Sequence, residues 1–404
     1  MRRVLVLALV LAIVAFAAWL YALGIGAFSD LPVGGEPKAR AIDPDVRQTR
    51  AAAIRRSANG LGIVEPKQIL FGALHVHSTF SFDAFQLSLP MVSGDGAHPV
   101  ADACDFARHC AALDFWSISD HAVALGPRRW RETVDTIREC NAKTDASDPD
   151  TVAYLGWEWT QVGWTPEHHY GHKNVVLRDL DEEHITPRPI SAGVPIGTPD
   201  VESLAPSPFL IGLYALSEWS TGGPELAAYL HETAALRDCP VDVPSRELPS
   251  SCRETAQTPD VLFDKLDEWG DDVASMVIPH GTTWGFYTPL GSSWDKQLAP
   301  GMHDPKRQRI IEVMSGHGNS EEFRPFQEVV ENADGTRSCP APNHGFLPSC
   351  WRAGEIIASR CLADGEDEGE CAKRAEVARQ NFVDAQRNGG AATVPGSSLA
   401  EWGD

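Results

Sequence analysis

The chain has no C-x-x-C pair, no glycine-rich phosphate loop, no G-x-S-x-G elbow, no basic patch and no tandem repeat. Without C-x-x-C, its nine cysteines fit disulfides better than a cysteine metal site. Without the elbow, Ser81 or Ser117 has little support as a nucleophile. Positive charge is scarce: 34 Lys and Arg face 56 Asp and Glu, a net charge of −22. That balance excludes nucleic acid as a partner, because its affinity rests on Lys and Arg neutralising phosphates. It indicates solubility and predicts little about substrate.

What the chain does have begins at its N-terminus. Residues 4–28 carry no charge and follow Arg2 and Arg3. About 20 apolar residues span a bilayer as a helix, and this run is longer. It is also longer than the h-region of a cleavable signal, about 7–15 residues. The first reading is a signal-anchor over 1–28 with its arginines in the cytoplasm; a long signal peptide is the alternative, and either exports the body. Residues 29–66 read as a polar tether and 67–404 as the body. Most cysteines lie close in sequence: Cys104 and Cys110, Cys239 and Cys252, Cys339 and Cys350, Cys361 and Cys371, with Cys140 left over. They suit local disulfides in an oxidising compartment, although Cys110 could equally take Cys140.

Five short segments place a potential metal ligand at the end of an apolar run: LHVH (74–77), SISDH (117–121), YLGWE (154–158), VIPH (277–280) and IIEVMSGH (310–317). Residues i and i+2 of a strand share a face, so His75 and His77 can meet one ion. Strands that deliver polar residues only at their C-terminal ends follow the rule of barrel enzymes. Apolar runs at 68–77, 114–119, 152–159, 172–178, 274–280 and 309–317 read as strands. Helical patterns lie at 100–113, 128–142, 225–236 and 261–269, and two more close the chain, the last stopped by Gly389–Gly390. The alternation predicts an α/β fold with a mainly parallel sheet. Proline-rich 179–258 breaks the rhythm and reads as an insertion forming a lid or wall over the site.

His75, His77, Asp83, Asp120, His121, Glu158, His280 and His317 form a His/carboxylate set suited to Zn, Mn or Fe. Glu158 lies between Trp157 and Trp159, where an ionised carboxylate is costly unless paired or bound to metal. That setting suggests a bridge between two ions. Trp157, Trp159 and Trp284 read as possible walls of an apolar cleft. His172 is as plausible a rim residue as a structural one. His168 and His169 read as solvent residues, and Lys173 and Arg178 as a solvated strand edge.

LHVHSTFSFDA, SISDHA, LGWEW and VIPHG resemble the successive motifs of the PHP (polymerase and histidinol phosphatase) metallohydrolases. FGALHVHSTFSFDA, LDFWSISDHA, GWEWTQVG, GHKNV, IPHGTTWG and EVMSGHGNSE are closer still to an uncharacterised bacterial family, the domain-of-unknown-function 3604 group. The similarity covers about residues 68–404. It implies a distorted (β/α)7 barrel with a loop-rich insertion, holding two or three divalent ions. By that resemblance His75 and His77 hold the first ion, Glu158 bridges to a second held by His280 and His317, and His121 joins a third position or acts as an acid. Asp83 and Asp120 bind metal or orient histidines. The family's closing D-x-H is not found before Asp404, which implies an incomplete C-terminus. The expected activity is hydrolysis of phosphate or related sulfate esters by metal-hydroxide attack, with Glu158, His121 and Asp120 as catalytic residues. It would take place at a bacterial inner membrane, facing the periplasm or the outside. The competing class is a non-catalytic envelope protein that keeps a degenerate barrel as a binding or structural module.

Overall fold

The computed structural model describes residues 2–386, apart from 39, 64–68, 91–92, 95, 145–146, 194–206, 242, 286–287, 290–291, 317, 321–328 and 344–345. Helix α1 (Arg2–Gly24) is long and apolar enough to cross a membrane. Helix α2 (Pro44–Gly60) starts with Asp43 accepting a hydrogen bond from the Asp45 amide and a proline in its first turn. Between them the chain runs along the body. Gly34 donates to Glu132 (2.8 Å) and Ile42 to Asp150 (2.6 Å), and the Ala101 amide donates to the Gly34 carbonyl (2.9 Å).

Strands β1 (Gly72–Val76), β2 (Phe115–Ile118) and β3 (Val152–Tyr154) pair in parallel, as their alternation with helices predicts. Helices α3 (Phe82–Leu87) and α4 (Val100–Asp105) connect the first two; α5 (Pro127–Ala142) connects β2 to β3. Only Leu155 separates β3 from β4 (Gly156–Trp159). The pairing Phe115 to Val152 and the bridge His121 to Glu158 keep one register, so 152–159 behaves as a single strand beside β2.

Beyond β4 the parallel rule fails. Strand β5 (His172–Leu177) runs antiparallel to β4, with Glu158 opposite Asn174. The reason is local: 160–171 holds turns and no helix, and a parallel return needs a longer crossover. After short β6 (Ile190–Ser191) and β7 (Glu254–Thr255), strand β8 (Ser275–His280) pairs antiparallel with β5, setting His172 opposite His280. Residues 307–312 follow β8 through Val277 N to Arg307 O (3.1 Å) and Glu312 N to Pro279 O (3.1 Å). They form no strand, so the strand expected at 309–317 shrinks to β9 (Met314–Ser315), paired with β10 (Gly318–Asn319). The fold is mixed α/β, and no closed barrel is found among the described residues.

Helices α6 (Pro208–Ser217), α7 (Gly223–Ala235) and α8 (Pro259–Glu268) follow β6 and flank β7. The hairpin β11 (Val330–Glu331) and β12 (Arg337–Ser338) adjoins α9 (Ser349–Ala363) and α10 (Glu368–Gln386), which share a small core. The stop expected at Gly389–Gly390 lies outside the described residues. The main core gathers Trp116, Trp130, Trp157, Trp159, Ile118, Ile137, Val175 and Val277. Burial of such side chains stabilises by roughly 1.5–3 kcal/mol each. Trp157 and Trp159 point into this core, opposite Glu158, and donate to the Ile190 and Ala256 carbonyls (3.0 and 2.7 Å). They line no cleft, because successive strand residues face opposite sides.

Four disulfides form: Cys104–Cys140, Cys239–Cys252, Cys339–Cys350 and Cys361–Cys371. Three match the close pairs in sequence. Cys104 instead takes Cys140 on α5, at a Cα separation of 6.1 Å, and Cys110 is the free, exposed thiol. Cys110 ends the wider helical turn that follows α4 (Phe106–Cys110) and is exposed, whereas Cys104 is buried within α4 beside α5.

Candidate metal centre

The ends of β1, β2, β4, β5 and β8 converge. His75 and His77 alternate on one face of β1's end, and Asp83 opens α3 just after it. His121 follows β2, Glu158 lies on β4, His172 starts β5 and His280 ends β8. Ring centroids are 4.9 Å apart for His75 and His77, 4.4 Å for His75 and His280, 4.6 Å for His77 and His121, and 5.4 Å for His172 and His280. Gly171 allows that last approach: with φ of +67°, its ideal Cβ would stand 2.8 Å from the His280 carbonyl oxygen.

Glu158 is the hub and is fully buried. Its Oε2 lies 3.3 Å from His75 Nε2, 3.1 Å from His77 Nε2 and 3.3 Å from His121 Nδ1. Its Oε1 lies 2.6 Å from His172 Nδ1 and 3.6 Å from His280 Nε2. Four groups of donor atoms are each close enough to hold one ion. They are His75, His77 and Glu158; Glu158, His172 and His280; His75, His280 and Glu312; and His77, Asp83 and His121.

The surrounding hydrogen bonds set which ring nitrogen faces the cluster. Ser81 Oγ donates to Asp120 Oδ1 (2.8 Å), so it accepts from His77 Nδ1 (2.7 Å). His75 Nδ1 donates to Glu312 Oε2 (2.8 Å). Both Nε2 lone pairs then face each other at 2.9 Å, beside the Glu158 carboxylate. Two facing lone pairs repel unless a proton or a metal cation lies between them. His280 is wholly buried with neither ring nitrogen hydrogen-bonded. Buried polar atoms normally find partners, and these donors suit a divalent cation. The residues fit a metal.

Without metal, protons stand in for the cation. Burial alone would lower His75, but Glu158 and then Glu312 outweigh it and raise it to about 9. Burial likewise opposes the charge of His121, which Glu158 and Asp83 lift to about 10. Against their own burial, Asp83 is held low by His121, Glu158 by His121 and His172, and Glu312 by His75. Burial depresses His280. The side chains of His75, His77, Asp83 and Glu312 are partly exposed, whereas Glu158, His172 and His280 are buried, so the cluster opens on one side.

Asp120 stands behind the cluster rather than in it. Its carboxylate accepts from Ser78 N (2.7 Å), Ser78 Oγ (2.7 Å) and Ser81 Oγ, which fixes the loop that orients His77. His317 lies outside the described residues. Sequence reasoning missed Glu312; its only signal is a carboxylate directly after the apolar pair Ile310–Ile311. His169 is fully buried and hydrogen-bonded to the Gly281 carbonyl (3.0 Å), not a solvent residue. Lys173 is also buried, hydrogen-bonded to Tyr170 O (2.9 Å) and Gln297 Oε1 (3.2 Å), and burial pushes it down to about 7. It faces away from His172, as β alternation requires.

The chain matches no family model, no curated protein and no solved structure.

Proposed function

We propose that this chain is a metal-dependent hydrolase of the PHP kind, acting on phosphate or related sulfate esters outside the cytoplasm. The observation that carries the reading is the approach of His75 Nε2 and His77 Nε2, 2.9 Å apart beside a buried carboxylate. Each candidate group has three protein donors. Structural sites tend to close with four, whereas catalytic sites keep a position for water or substrate. Bound divalent ions would supply Lewis acidity and activate water.

The chain's own residues divide the remaining work. Glu158 joins the two inner groups, and His280 and His172 close the buried end. Asp120, through Ser81, keeps His77 in one tautomer. His75, Asp83 and Glu312 line the open side, where an ester would approach. His121, bonded to Asp83 at 3.0 Å, holds the proton a leaving oxygen would need, or joins a third ion with His77 and Asp83.

The test is metal content of the chain, purified without chelator, alongside Glu158→Gln and His280→Ala variants. A screen of phosphomonoesters, phosphodiesters and sulfate esters follows. Two or more ions in the parent, lost in the variants together with ester turnover, supports the reading. Bound metal without turnover of any ester favours the non-catalytic binding module, and absence of metal overturns the hydrolase reading.

A further inference from the structure

Helix α1 does not leave the body as a free tail. Its last turns pack on α6 at two glycines. An ideal Cβ on Gly24 would stand 1.7 Å from the Pro208 carbonyl oxygen, and one on Gly212 2.1 Å from that of Leu20. Only hydrogen fits at either position. Leu23 is buried there with Ala215 and Ala227. Trp19 and Trp219 lie 6.1 Å apart, and Tyr21 and Phe209 5.5 Å apart. Ser29 Oγ then donates to the Pro224 carbonyl (2.6 Å) at the start of α7.

Helix α6, PFLIGLYALS, carries no charged residue. It is nevertheless not a core helix: Phe209, Leu210 and Leu213 are 45, 61 and 50% exposed, and Trp219 just beyond it is 49% exposed. Phe209 meets Tyr21, itself exposed, so this face adjoins the apolar surface of α1, where Val10 and Val14 are also uncovered. Contiguous apolar surface of this kind marks an interaction site.

We propose that the occupant of this face is the lipid bilayer, and that α6 lies in it beside α1 as one embedded unit. Three features favour lipid over a protein partner. The patch is continuous with the one helix able to span a membrane among the described residues. The two helices meet through small residues, the contact that suits helix pairs in lipid. Trp19 and Tyr21 lie in the last turns of α1, near the body, where aromatic side chains settle at the membrane interface. Ten residues of helix reach about 15 Å, half the hydrocarbon thickness, so α6 enters only the leaflet on the body's side. The neighbouring α7 also reaches the loop beside the candidate metal centre. Tyr229 of α7 donates to the Phe80 carbonyl (2.8 Å), between His77 and Asp83. The inference rests on α1 spanning the membrane and not on the hydrolase reading.

The test uses the full chain in phosphatidylethanolamine–phosphatidylglycerol vesicles, with Cys110→Ser as background. Nitroxide labels are placed by Leu210→Cys and Leu213→Cys, by Val10→Cys as the embedded reference and by Leu362→Cys, on α9, as the aqueous one. Relaxation by oxygen relative to a water-soluble nickel complex is expected to match Val10→Cys and to exceed Leu362→Cys several-fold at both α6 positions. Values equal to Leu362→Cys overturn the proposal, as does an aqueous Val10→Cys. Because an added thiol can disturb four disulfides, the same question is put with p-benzoylphenylalanine at Leu210. A lipid photoadduct supports the proposal, and its absence, when the same group at Val10 gives one, overturns it.

Discussion

Glu158 carries the centre because one carboxylate, buried on a strand flanked by two core tryptophans, meets five imidazoles from four strand ends. Glu158→Gln keeps its shape and removes its charge; most bound metal is expected to be lost, read by elemental mass spectrometry. Ser81→Ala leaves every donor in place but frees His77 to rotate and change tautomer. Its expected cost is about 10–100-fold in metal affinity, the range for outer partners of metal ligands, read by competition with a chelating dye. Sequence made most of this legible, since a histidine or acid ending an apolar run is a rare pattern. Glu312 and His172 were not equally legible. Glu312 sits beside β8 without belonging to a strand, and His172 faces His280 only through an antiparallel register.

At the scale of elements, local signals located most helices and strands but left their directions open. Strand β5 reads from its composition, and its reversal follows from the absence of a helix in 160–171. The cysteines show the same limit, because Cys104 finds Cys140 only once α4 packs on α5. Replacing both by alanine is expected to cost about 2–4 kcal/mol in denaturant unfolding, whereas Cys110→Ser should leave stability unchanged. Arg108 adds a second tie at this place. Wholly buried, it pairs with Asp150 at 3.0 Å and donates to the Cys140 carbonyl at 2.9 Å. Arg108→Met strands the Asp150 carboxylate, and a loss of about 3–5 kcal/mol is expected in the same measurement.

For the whole molecule, metal and protons compete for one cluster, and pH tells them apart. His75 and His121 are raised above their ordinary 6.5, to about 9 and about 10. In the metal-free chain the stability they contribute is complete below 6.5 and is lost as pH rises through 9 to 10. The depressed Asp83, Glu158 and Glu312 contribute above the ordinary carboxylate range and lose their contribution in acid. Ligating imidazoles must first shed those protons, so metal affinity is expected to climb between pH 7 and 10. Thermal unfolding of chelated and metal-loaded chain across that interval should diverge, with Tm falling in the first and not in the second. Parallel falls would show that no metal binds the cluster.

The sequence by itself determined the apolar N-terminal helix, the α/β alternation and seven of the eight residues of the candidate set that the described structure places at or directly behind one centre. These are local properties, written in hydropathy and in the two-residue period of strands. The tertiary structure decided which ring nitrogens face each other, which carboxylate joins them, which cysteine Cys104 takes and what α6 packs against. Each of those depends on residues distant in the chain being brought to within a few ångströms, and no local pattern encodes that separation.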